Sequence, residues 1–158
     1  MSNIRLLIVE DDDALASLLQ EYFLEADYNV TVHRRGDTAL TALKSERFDL
    51  ILTDLMLPGA DGMSILHAAS GAPEKTLVIL MTGYSGIENA LHAVQHGAYD
   101  FVSKPFQLPE IRVRLDNAAR YQSLLRKSEA IKGVPARFVS VSEQSVLRAY
   151  DAHHAGAS

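Results

Sequence analysis

Residues 4–23 read IRLLIVEDDDALASLLQEYF, and two different periods meet in them. Ile4 to Val9 is an apolar run of strand length, whereas Ala14, Leu15, Leu18, Leu19, Tyr22 and Phe23 recur at the spacing that gives a helix one apolar face. Between the two stand Glu10, Asp11 and Asp12, where a buried strand would stop hiding its side chains from water. Carboxylates crowded at one strand end repel each other and resist burial, so the arrangement suits a hard divalent cation held by oxygen ligands.

The same unit recurs along the chain. Asn29 to His33 reads as a weak strand, Thr38 to Leu43 as a short helix, and Phe48 to Thr53 as a buried strand ending at Asp54. Met63 to Ala69 then predicts a helix, Thr76 to Met81 a strand, Gly86 to His96 a helix, Tyr99 to Ser103 a strand, and Pro109 to about Lys127 a long helix. Five strand-helix units predict an α/β fold, a five-stranded, doubly wound parallel sheet covered on both faces. Its ligand site is expected beyond the carboxyl ends of the strands.

Composition sets the outer bounds. A chain of 158 residues with 47% hydrophobic content is about right for one domain with its own core. It has no cysteine, which excludes disulfides and thiolate zinc sites and suits a reducing cytoplasm. No run approaches the ~20 apolar residues of a membrane span, so neither a membrane nor a secretory route is expected. A formal net charge of −5 argues against a surface dedicated to nucleic acid.

Reading the carboxyl ends side by side brings the chemistry into view. The first strand ends in Glu10-Asp11-Asp12, the third in Asp54, the fourth in Thr82-Gly83 and the fifth in Lys104-Pro105. In a parallel sheet these ends share one edge, so a carboxylate cluster, a hydroxyl and an ammonium would converge. Together they suit phosphoryl transfer: carboxylates hold Mg2+, Lys and Thr take phosphoryl oxygens, and one carboxylate can serve as nucleophile.

The segments IVEDD (8–12), DLMLPGADG (54–62), MTGY (81–84) and GAYDFVSKPF (97–106), in this order and spacing, resemble the receiver domain of two-component response regulators, over residues 4 to about 127. The wording is similar to receivers of the nitrogen-regulator class, and the resemblance implies their flavodoxin-like (βα)5 fold. The resemblance implies that Asp54 accepts a phosphoryl group from a sensor histidine kinase or a histidine phosphotransfer protein. It implies that Mg2+, with Mn2+ as an alternative, is bound by Asp11 directly, by Glu10 through water, by Asp54 and by the Met56 backbone carbonyl. Lys104 would pair with Asp54 and later with the phosphoryl group, Pro105 is a candidate for a cis peptide bond, and Thr82 with Phe101 would form the switch. Pro58-Gly59 and Asp61-Gly62 would shape the loop after Asp54. The fourth helix, fifth strand and fifth helix would present the face that contacts a partner, a second copy of the chain included. The protein expected is therefore a cytoplasmic phosphoacceptor in a phosphorelay, with assisted autophosphorylation and slow autodephosphorylation, not a turnover enzyme.

Rival readings stand beside these. Asp12 is either a third ligand or a helix cap ahead of Ala14, and the cap is preferred. His92 and His96, four apart on a predicted helix, could share a metal, but without a third ligand an exposed or interface face is the simpler reading. An aspartyl-phosphate phosphatase of the haloacid dehalogenase class would also use Asp, Thr and Lys at strand ends, yet it carries a second Asp where this chain has Met56. A dinucleotide-binding module would want a glycine-rich loop where this chain is acidic. A phosphorylation-independent interaction module would be expected to lack part of the set. Bulky Met56 and Tyr84, by resemblance, line the path of attacking water. Along the last helix Ile111, Leu115, Ala118, Gln122 and Leu125 follow a four-three spacing, either an extra seam for a partner or simple packing on the sheet. Gly133-Val134-Pro135 should break that helix, leaving residues 128–158 as a linker or tail with one short helical candidate, Glu143 to Tyr150. The chain is then a stand-alone receiver or a piece of a longer regulator.

Overall fold

The computed structural model describes residues 3–70, 75–83 and 87–130. The elements alternate as β1 (Arg5–Val9), α1 (Asp13–Glu25), β2 (Asn29–His33), α2 (Gly36–Ser45), β3 (Leu50–Asp54), α3 (Gly62–Ser70), β4 (Leu77–Thr82), α4 (Ile87–Gln95), β5 (Asp100–Ser103) and α5 (Leu108–Ala130). The five strands pair in parallel in the order β2-β1-β3-β4-β5. The order reverses direction between β1 and β3, so the crevice expected for a ligand opens above those two strands.

Side chains on each strand alternate between two cores. Leu6, Ile8, Leu50, Leu52, Ile79 and Met81 face α1 and α5, where Leu19, Phe23, Ile111, Leu115 and Ala118 meet them. Leu7, Val9, Ile51, Val78 and Leu80 face the other way, against Ala39, Ala42, Ile65, Leu66 and Ala93 of α2, α3 and α4. Both faces are covered, which is why the strands read as nearly continuous apolar runs. Full burial of a Leu or Ile side chain contributes about 1.5–3 kcal/mol.

Several bounds differ from those expected, each for a local reason. β3 starts at Leu50, not Phe48, and takes in Asp54, because Asp54 is in register with Met81 of β4. β4 likewise reaches Thr82, which is in register with Ser103 of β5. The last helix does not stop near Lys127 but runs to Ala130, since Ser128-Glu129-Ala130 contains neither Gly nor Pro to end it. The candidate helix Glu143–Tyr150 lies outside the described residues.

The four-three seam of α5 packs on the chain's own sheet. Ile111, Leu115 and Ala118 are fully buried, and Leu125 packs against the same core. Gln122, 3% exposed, donates from Nε2 to the carbonyls of Asp49 (2.7 Å) and Lys75 (2.9 Å), just ahead of β3 and β4. One turn on, Arg126 meets the Asp49 carboxylate at 2.8 Å, and the other oxygen of that carboxylate accepts the Arg5 N–H. The reading of this seam as an extra partner surface is thereby replaced.

Candidate functional site

The polar strand ends do converge. Glu10 follows β1 and is 1% exposed, Asp54 ends β3 at 8%, and Thr82 ends β4 at 1%. Lys104, just past β5, places Nζ 2.8 Å from Glu10 Oε1 and 2.7 Å from Asp54 Oδ2. Its own N–H donates to the Thr82 carbonyl at 2.6 Å, and the Lys104–Pro105 peptide bond is cis, as the resemblance implied. Carboxylate oxygens of Glu10, Asp11 and Asp54 all lie within 4.8 Å of one another, and among the described residues they form the one such trio of candidate ligands.

The remaining contacts set the roles apart. Asp12 caps α1: its Oδ1 accepts the Leu15 N–H at 2.8 Å, while its own N–H reaches Glu10 Oε2 at 3.0 Å. The cap reading therefore holds, and Asp12 helps to orient Glu10. The Thr82 hydroxyl donates to the Gly83 carbonyl at 3.2 Å, so it is not yet turned to Asp54. Phe101 is half-buried against the core that holds Leu80, and its N–H is accepted by Asp100 Oδ1 at 2.8 Å. The Met56 N–H makes a long contact, 3.4 Å, with Asp54 Oδ1, and the Met56 side chain is 75% exposed. Tyr84 lies outside the described residues.

Local chemistry explains the loop that carries Met56. Gly59 adopts φ +84°, a left-handed conformation that side chains resist, and a Cβ there would fall 2.5 Å from the Asp37 carboxylate. Gly36 donates its N–H to the Pro58 carbonyl at 2.9 Å, docking the loop on the start of α2. No sequence signal pointed to Gly36 as part of this support, because its neighbour Ala60 is 24 residues away.

Electrostatics follow from the crowding. Burial pushes the Glu10 pKa above its ordinary value, only partly opposed by the hydrogen bonds from Lys104 and Asp12. Burial works against the Lys104 ammonium, yet hydrogen bonds to Asp54 and Glu10 outweigh it and hold the pKa above that of an ordinary lysine. An all-oxygen donor set with two buried carboxylates fits a hard cation such as Mg2+.

The Lys104 bridge has a measurable consequence. Lys104→Met leaves Glu10 and Asp54 facing each other without their shared cation, and the fold is expected to lose about 1–2 kcal/mol at neutral pH. That is less than for a fully buried pair, because the Lys104 side chain is 29% exposed. With its pKa raised, the folded state binds the Glu10 proton more readily than the unfolded chain does. Stability therefore falls as pH rises from the ordinary Glu value through the raised one. The variant raises that pKa further, so its deficit should shrink in acid. Urea titrations at neutral and acidic pH check this, and a deficit independent of pH contradicts it.

Comparison with known proteins gives the same answer as the geometry. Among the described residues no helix is long and apolar enough to cross a membrane. The regulatory protein LuxO of Vibrio vulnificus is 35% identical over 119 residues, covering 75% of this chain and 26% of LuxO. The regulatory protein AtoC of Escherichia coli is 33% identical over 123 residues, covering 78% of this chain and 27% of AtoC. The chain thus spans about a quarter of the length of these two relatives, which bear out the resemblance to receivers of the nitrogen-regulator class. The receiver domain of the Francisella response regulator 1452 superposes with a TM-score of 0.69 at 28% identity, covering 75% of this chain and 98% of that domain. Residues 6–116 match the profile of the response regulator receiver domain, and with the sheet order and the clustered strand ends this makes the chain a member of the receiver family of two-component response regulators.

Proposed function

We propose that the chain is a phosphorylation-dependent switch in which Asp54 takes a phosphoryl group from a sensor histidine kinase or a histidine phosphotransfer protein. The observation that carries this reading is the Asp54 carboxylate at a strand end, with Lys104 Nζ 2.7 Å from one oxygen and Glu10 and Asp11 at its side. Glu10, Asp11, Asp54 and the Met56 carbonyl would hold Mg2+ or Mn2+. When bound, the cation neutralises charge on the phosphoryl oxygens. Asp54 attacks phosphorus through the oxygen not engaged by Lys104, and the donor's phosphorus–nitrogen or phosphorus–oxygen bond breaks. Lys104 then moves its ammonium from carboxylate to phosphoryl oxygen.

Thr82 and Phe101 carry the change outward. To donate to a phosphoryl oxygen the Thr82 hydroxyl must leave the Gly83 carbonyl it now meets at 3.2 Å, and half-buried Phe101 turns further inward behind it. The face of α4, β5 and α5 responds, altering a contact with an output partner or a second copy of the chain. Residues 1–127 form the receiver and 128–158 a linker or tail, and the cytoplasm is the compartment this reading assigns. Exposed, apolar Met56 at the position of a phosphatase's second Asp favours a phosphoacceptor over a turnover enzyme.

The test is acetyl phosphate with Mg2+, followed by intact mass and peptide mapping. One phosphoryl adduct, on Asp54, is expected; an adduct mapping elsewhere overturns the reading. Slow release of that phosphate is attributed to Met56, which offers no group to orient water. Met56→Asn should shorten the lifetime of the adduct, and a lifetime unchanged or longer sinks the idea.

A further inference from the structure

We propose that His92 and His96 form a two-imidazole site for a divalent transition ion of the zinc or nickel type, at the C-terminal end of α4 and apart from the carboxylate cluster. The helix ends in a way that presents both rings. Gly97 takes φ +111°, its N–H bonds to the Val94 carbonyl at 3.2 Å, and the Ala98 N–H reaches back to Ala93 at 3.0 Å, the pattern of a Schellman stop. His96 is thereby fixed as the last residue before the turn, one helical turn beyond His92. Both side chains are exposed, and their ring centroids lie 4.0 Å apart at an interplanar angle of 39°.

The hydrogen bonding prepares one ring for ligation. His96 Nδ1 lies 2.8 Å from the His92 carbonyl oxygen, an acceptor only, so Nδ1 carries the proton and the Nε2 lone pair is left for a ligand. A carbonyl behind the far nitrogen is the usual second support of a metal-binding histidine. The four-residue spacing on the helix lays the second imidazole against the first, close enough for both to reach one ion. Imidazole donors favour zinc, nickel and copper, whereas the oxygen donors of Glu10, Asp11 and Asp54 favour magnesium, so the two sites discriminate by chemistry. Chelation would tie the last turn of α4 to the turn that leads into β5.

Zn2+ and Ni2+ titrations of the full chain under excess Mg2+ test this, with His153→Ala and His154→Ala included so that the C-terminal pair cannot contribute. One ion per chain is expected. His92→Ala should weaken binding by about tenfold or more, and so should His96→Asn, whose amide can still donate to the His92 carbonyl and keep the helix end. Unchanged melting of both variants without metal would show that the ligand, not the cap, was lost. Absence of binding, or binding that survives either substitution, overturns the site.

Discussion

Asp54→Asn is expected to abolish the phosphoryl adduct from acetyl phosphate while leaving the fold intact. The substitution keeps the shape of the side chain at the end of β3 and replaces an anionic oxygen nucleophile with an amide, which does not attack phosphorus at neutral pH. Lys104 keeps its 2.8 Å bond to Glu10 in the variant, so its position should hold even as the Asp54 partner is lost. Helical circular dichroism should therefore match the parent. Affinity for Mg2+ should fall too, because one of the three clustered carboxylates has gone. Intact mass spectrometry reads the result directly. A full adduct retained on the variant would refute the assignment.

Gly36→Ala is expected to be among the most damaging small substitutions in the chain. A Cβ at Gly36 would sit 1.7 Å from the Ala60 carbonyl oxygen and 2.6 Å from its carbon, both backbone atoms that cannot swing away. Either the start of α2 or the loop after Asp54 must shift, and the Gly36 N–H bond to Pro58 goes with it. The expected cost is about 2–3 kcal/mol, the upper part of the range for overpacking, measured by urea titration. The loop also carries Met56, so Mg2+ affinity should weaken in the same variant. Gly83→Ala is the control: nothing lies within 4 Å of its Cβ, and its stability should stay within about 0.5 kcal/mol of the parent. Equal losses for both would show that the contact with Ala60 does not matter.

What was legible in the sequence was whatever depends on local pattern. The alternation of apolar runs and helical spacing gave the parallel sheet, because each strand is buried on both faces and each helix on one. Asp12 was legible as a cap because capping reaches only three residues, to the Leu15 N–H. The strand ends were off by one or two residues, since Asp54 and Thr82 join the sheet through partners on other strands. Gln122 was opaque for a similar reason. A glutamine in an apolar seam is buried because two backbone carbonyls accept from its amide, and they belong to residues 47 and 73 positions away. The pairing of Lys104 with Asp54 followed from the resemblance, but its second bond to Glu10 did not.

The ties around Asp49 have a consequence for how a signal could leave the domain. Asp54 sits at the top of a strand only five residues long, and just below its foot Asp49 is gripped by Gln122 and Arg126 of α5. The distal part of α5 is therefore indexed to the very strand that ends in Asp54. Sliding it along the sheet would take the Gln122 amide from the Asp49 and Lys75 carbonyls and the Arg126 guanidinium from the Asp49 carboxylate. These ties favour a tilt of the helix about Asp49 over a stroke along its axis.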